Sequence, residues 1–192
     1  VQQHESTEEL ATRMADSYET ARSTGHVGLM SRWFDVQKRI VVYQKGKITL
    51  VGARPGQGKT TFGMNEALHK ASIGIPTLVI SIEMSRDELI ERAIGDLMGL
   101  DLKRFKEGSA SREELQLFRK GGLLISRMPL YIEHSNYTIE QICALIREYR
   151  ETKGIELAMI DYVQLIAPSE GKRFTNRNLE VSWTSQNLVH VG

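Results

Sequence analysis

From Lys47 onward the sequence alternates between short continuous apolar runs and longer stretches with helical periodicity, and no other feature limits the fold as strongly. The runs KITLVGA (47–53), TLVISIE (77–83), LYIEH (130–134) and IELAMIDY (155–162) read as buried strands. Residues 59–73 read as a helix closed by Gly74, with Pro76 just beyond. Ser85 with Glu88, Ser111 with Glu114 and Thr138 with Gln141 have capping-box spacing and start three more helices. The last of these carries an apolar face of Ile139, Ile142, Cys143, Ile146 and Tyr149. Strands that are apolar throughout need cover on both faces, and the intervening helices supply the crossovers of a parallel sheet. The expectation is an α/β fold around a mostly parallel central sheet.

Ahead of Lys47 the rhythm is different. Ser6 and Glu9 fit a capping box, and Leu10, Ala11, Met14, Ala15 and Tyr18 recur on one side of a helix over residues 6–22. Residues 23–25 end it, and 28–46 read as an irregular connection. A chain of 192 residues is long enough for one domain with an appendage. The formal charge of +1 exerts no global pull toward nucleic acid, so any such contact has to be local. A single cysteine excludes an internal disulfide, and Cys143 is expected to be a buried small hydrophobe. The five histidines have no ligand spacing, so no zinc site is expected. With no apolar run near membrane-spanning length and no signal peptide at the start, the expected setting is cytoplasmic. Val1 in place of Met suggests a processed or excerpted sequence.

The stretch GARPGQGKTTF (52–62) lies between the first predicted strand and the helix after it. Gly56 and Gly58 let the backbone curl so that successive N–H groups point inward around an anion. The helix start adds the positive end of its dipole and its unpaired N–H groups. Lys59 can then reach the β- and γ-phosphates, and the Thr60 hydroxyl can ligate magnesium. Residues Ala53, Arg54, Pro55, Gly56, Gln57, Gly58, Lys59, Thr60 and Thr61 are therefore the expected nucleotide contacts. The strict pattern G-x-x-x-x-G-K-[ST] is not met, since Ala53 stands where it has glycine.

Hydrolysis needs acids as well. Asp161 closes an apolar strand and is placed to hold the magnesium shell. Glu83 ends another strand, at the carboxyl edge where ligands sit in open α/β sheets, and is the candidate to deprotonate water. Either acid taken singly is equally a solvated turn or an N-cap; with the loop they make a set at three predicted strand ends. The segment APSEGKRFTNRN (167–178) places Lys172, Arg173 and Arg177 around Phe174, which suits either a phosphate-tracking loop or a solvated one.

These residues resemble the motor domain of the DnaB-type replicative DNA helicases, a RecA-like P-loop NTPase fold of bacteria and their phages. ARPGQGKTTF is similar to that family's A-R-P-x-x-G-K-T-x-F, in which alanine is usual at the first position. ISIEMS resembles the segment after its second strand, MIDYVQL its I-D-Y-x-Q-L, and NRNLEVS (176–182) its N-R-x-x-E-[IV]. The likeness spans roughly 28–182. It implies a homo-oligomeric hexameric ring that hydrolyses ATP with Mg2+ to translocate on single-stranded DNA at a replication fork, with a primase or helicase loader as further partners. By position it implies Lys59 and Thr60 on phosphate and magnesium, Glu83 as catalytic base and Asp161 as the magnesium-linked acid. It also implies Gln164 in the network joining the nucleotide to DNA, and it favours DNA for Lys172, Arg173 and Arg177. Residues 1–27 would be a tail and linker helix that packs on a neighbouring subunit or on its own domain, and 28–192 the ATPase domain.

After Ser182 the resemblance stops, because WTSQNLVHVG does not match the long helix that follows in the family. The later strands, second DNA loop and arginine finger of the pattern are absent from this sequence, as is its amino-terminal collar. Because such a finger is worth about 10³–10⁵ in turnover, this chain is expected to bind Mg-ATP, hydrolyse it feebly and not unwind DNA by itself. An incomplete sheet with exposed apolar surface is expected too. Two alternatives stand beside the helicase motor: a nucleotide-binding but inactive module that joins rings, and a recombinase-type RecA ATPase.

Overall fold

The computed structural model describes residues 6–24, 28–40, 43–54 and 56–161. Its contacts divide the chain into two compact units, 1–49 and 50–192.

In the first unit, α1 (Thr7–Thr24) opens on the expected reciprocal box: Ser6 N–H donates to Glu9 Oε2 at 2.7 Å and Glu9 N–H to Ser6 Oγ at 3.2 Å. Its apolar side is open, with Leu10, Met14 and Tyr18 all exposed. The predicted irregular connection holds a second helix, α2 (Phe34–Ile40). An antiparallel bridge between Leu29 and Tyr43 encloses it. Ser31 sits buried in this loop; its carbonyl accepts from the Gln37 side chain at 2.7 Å. Such side-chain closure leaves little trace in hydrophobic periodicity, which explains why α2 was not expected.

The second unit is built on a parallel sheet of β1 (Thr77–Ser81), β2 (Leu130–His134) and β3 (Leu157–Asp161), in spatial order β2-β1-β3. The other helices are α3 (Lys59–Ser72), α4 (Arg86–Met98), α5 (Leu102–Lys106), α6 (Arg112–Ile125) and α7 (Ile139–Lys153). Central β1 is buried along its whole length and its side chains alternate between two cores. Val79 joins Met64, Ala67, Leu68, Leu89, Ala93, Ile94, Ile125 and Ile132 beneath α3, α4 and α6. Leu78 and Ile80 join Ile139, Ile142 and Cys143 beneath α7. The path from β1 to β2 runs one way across the sheet and that from β2 to β3 runs back. Right-handed crossovers therefore put their helices on opposite faces.

The capping boxes at Ser85/Glu88, Ser111/Glu114 and Thr138/Gln141 all form. Cys143 is buried, and desolvation raises its thiol pKa above the ordinary value. Two glycines set helix spacing. A Cβ at Gly63 would fall 2.9 Å from Met159 Sδ, so its absence lets α3 lie directly on β3. A Cβ at Gly121 would meet Met98 Cγ at 2.7 Å and Ile94 Cγ2 at 2.9 Å, so α6 likewise closes on α4.

One expectation is corrected. The run 47–53 is not a strand: it joins no ladder among the described residues and is exposed, with Leu50 at 65% and Val51 at 51%. The sheet of described residues thus has three strands where the sequence reading has four. An apolar run becomes a strand only where a neighbouring backbone offers hydrogen bonds and a face to bury, and composition does not report either.

Candidate functional site

The loop ahead of α3 is shaped by two left-handed glycines, Gly56 at φ 75° and Gly58 at φ 82°. Around both there is open space or ordinary contact, the nearest atom to a Cβ on Gly58 being Thr61 Cβ at 4.0 Å. Glycine is therefore required by the backbone conformation and not by crowding. Gln57 N–H closes a turn on the Arg54 carbonyl at 3.2 Å, and Phe62 N–H makes the first helical bond to Gly58 at 2.8 Å. Lys59 Nζ lies 3.4 Å from the Ala53 carbonyl, folding the ammonium back along the loop. Ala53, Arg54, Gly56, Gln57, Gly58 and Thr61 are exposed; Lys59 and Thr60 are half-buried.

The start of α3 is chemically unusual in this molecule. Its N-cap is Gly58, no side chain caps it, and its first turn contains no acid. α4, α6 and α7 carry side-chain caps and first-turn acids, and α5 is capped by Asp101. No side chain caps the head of α3, and its helix dipole favours an anion there.

The sheet brings the acids to the same edge. The last residues of the three strands lie level, since Ser81 pairs with both His134 and Asp161. α3 ends at Ser72, close in sequence to the amino end of β1 at Thr77, so its first turn lies toward the carboxyl edge. Met159, against Gly63, is two residues before Asp161. Asp161 is 4% exposed and its Oδ2 has no hydrogen-bond partner among the described residues. A buried carboxylate oxygen without a partner is costly, of the order of 1–3 kcal/mol, and asks for a cation or donor that the described residues do not supply. Ile82 N–H bonds to the Asp161 carbonyl at 2.8 Å, and Glu83, the next residue, is exposed at this rim.

A magnesium ion fits this donor set. No group of three or more His, Cys, Asp or Glu that could hold a metal occurs among the described residues. Magnesium commonly takes one or two protein oxygens and completes its octahedron with water and phosphate. The unpartnered Asp161 oxygen and the Thr60 hydroxyl are oxygens of that kind.

Of the sequence-predicted residues, Ala53, Arg54, Gly56–Thr61, Glu83 and Asp161 lie in the loop or along this edge. Pro55, Gln164, Lys172, Arg173 and Arg177 lie outside the described residues, as do the segments 162–166 and 176–182. Sequence reasoning passed over Ser81 and His134. Ser81 is 0% exposed and bonded twice to Met84, and His134 Nδ1 lies 3.1 Å from the Ser81 carbonyl. A histidine closing a strand was the available signal.

Comparison with known proteins adds a family. Residues 28–191 match the DnaB-like helicase C-terminal domain. The chain is 30% identical over 161 residues to a probable plasmid replicative DNA helicase of Chlamydia trachomatis serovar L2, covering 81% of this chain and 35% of that protein. It is 30% identical over 169 residues to the replicative DNA helicase DnaB of Buchnera aphidicola subsp. Acyrthosiphon pisum, covering 85% and 36%. The chain thus spans about a third of the length of these relatives. Among solved structures it is similar to a DnaB-like replicative helicase studied with its primase interactions, with TM-score 0.78 at 23% identity over 93% of this chain and 44% of that one. A second solved structure, of an ATPase domain, is similar with TM-score 0.84 at 22% identity over 98% and 67%. At those identities the structural likeness concerns the fold.

Proposed function

We propose, for a chain that belongs to the DnaB-like helicase C-terminal domain family, that the loop 53–61 and the adjoining sheet edge bind and hydrolyse Mg-ATP as part of a replicative helicase motor. The observation that carries this reading is the pairing, in one compact unit, of an acid-free start of α3 that no side chain caps with a buried Asp161 oxygen that has no partner among the described residues. One asks for an anion and the other for a cation; a magnesium triphosphate is both.

The loop N–H groups and the first turn of α3 hold the phosphates, and the Lys59 ammonium swings from the Ala53 carbonyl to the terminal phosphoryl group. Magnesium, when bound, neutralises charge on the β- and γ-oxygens. Thr60 and Asp161 orient it. Glu83, exposed at the rim, accepts a proton from the attacking water. The family further supports a homo-oligomeric ring on single-stranded DNA, with Gln164 relaying between nucleotide and DNA and Lys172, Arg173 and Arg177 on the phosphate backbone. Three such contacts correspond to a log K versus log salt slope of about -2. The exposed Leu10, Met14 and Tyr18 of α1 support a linker helix that packs on a neighbouring subunit.

The test is thermal melting with and without Mg-ATP. At a hundredfold excess over Kd, binding adds about 2.7 kcal/mol, raising Tm by roughly 5–10 °C. Lys59→Ala is expected to abolish that rise. Equal shifts in both proteins would remove the loop from the site.

A further inference from the structure

We propose that Ser81 and His134 are positioning residues that hold Glu83 at the sheet edge, a role that rests on the reading of Glu83 as the base. Ser81 is the last residue of β1 and fully buried. Its hydroxyl donates to the Met84 carbonyl at 2.7 Å and accepts from the Met84 N–H at 2.9 Å. Two bonds from one hydroxyl close residues 81–84 into a tight ring. Ile82 and Met84 are buried in the two cores on opposite faces of the sheet, and between them Glu83 is the exposed member.

The ring is tied to both flanking strands. Toward β3, Ile82 N–H donates to the Asp161 carbonyl at 2.8 Å. Toward β2, His134 Nδ1 lies 3.1 Å from the Ser81 carbonyl. A carbonyl oxygen only accepts, so this contact is a hydrogen bond with the proton on Nδ1. β2 stops at His134, and there the imidazole supplies the donor that ties its end to β1. Glu83 therefore stands on a turn fixed by its own strand and by both neighbours. A displacement of about 1 Å at a reacting group costs on the order of a hundredfold in rate, which is what such bracing prevents.

The full chain is compared with Glu83→Gln, His134→Ala and His134→Asn by single-turnover hydrolysis of bound Mg-ATP and by Kd for a fluorescent ATP analogue. His134→Ala is expected to slow hydrolysis about ten- to a hundredfold while Kd stays within about twofold. His134→Asn, whose amide N–H can reach the same carbonyl, should recover most of the rate. Nitrogen-15 spectra of the unaltered chain should place the neutral-ring proton on Nδ1. An alanine variant as fast as the unaltered chain, or a proton on Nε2 alone, overturns the positioning role. Equal rates for the unaltered chain and Glu83→Gln overturn the reading of Glu83 itself, and the positioning role with it.

Discussion

The helix starts of the second unit fall into two kinds. α4, α6 and α7 begin with a hydroxyl that accepts from the third helical residue, and with that residue's side chain reaching back to the cap. α3 begins with a left-handed glycine, no side-chain cap and no acid in its first turn. Each boxed start supplies its own partners for the third helical amide and for the N–H of the cap residue. The α3 start has no side-chain cap, in the same unit that keeps an Asp161 oxygen buried without a hydrogen-bond partner among the described residues. On the proposed reading, the two kinds of end serve two tasks, stability and binding.

The contrast can be attacked from the acid side first. Asp161→Asn should stabilise the ligand-free protein by about 1–3 kcal/mol in chemical denaturation, because a neutral amide is less costly to bury than an unpartnered carboxylate. The same variant should lose its magnesium-dependent response to ATP. Destabilisation would show that Asp161 is a structural acid and dissolve the contrast.

Closing the open helix start is the next test. Asparagine tolerates the left-handed region and caps helices. Gly58→Asn should therefore weaken Mg-ATP binding about tenfold, near 1.4 kcal/mol, with little change in folding stability. Unchanged affinity would mean that the amides at this start are not the anion's partners.

The converse variant, Ser111→Ala, opens a boxed start. It should lower folding stability by about 1 kcal/mol and leave ATP affinity unchanged. A loss of affinity here would break the division of tasks.

The smallest effect concerns pH. The Ser85 backbone N–H and hydroxyl hold the Glu88 carboxylate below its usual range. A lowered folded-state pKa contributes stability above the unfolded value, and this is lost as pH falls through the folded one. The protection factor of amides in the first turn of α4, the exchange rate taken relative to the intrinsic rate at each pH, should therefore fall as the solution is acidified through the carboxylate range. Glu88→Gln should flatten that dependence.

Much of this was legible in the sequence for a common reason. A capping box is written within four residues, and the boxes at Ser6, Ser85, Ser111 and Thr138 all formed as spelled. The run LYIEH became β2 without adjustment. The loop glycines took left-handed backbones because no other residue does so freely. The helix α2 and the exposed run 47–53 were misread because each depends on partners that periodicity does not encode.

The sequence by itself determined the helix caps, most of the element types and the placing of Asp161 at a strand end, since each is a matter of neighbouring residues and their steric and hydrogen-bonding preferences. Tertiary structure alone decided which apolar runs found a sheet to join, that an Asp161 oxygen would be buried without a partner among the described residues, and that His134 would reach Ser81, 53 residues away. Those outcomes depend on packing distant segments together. Burial and pairing are properties of the assembled sheet and have no local code.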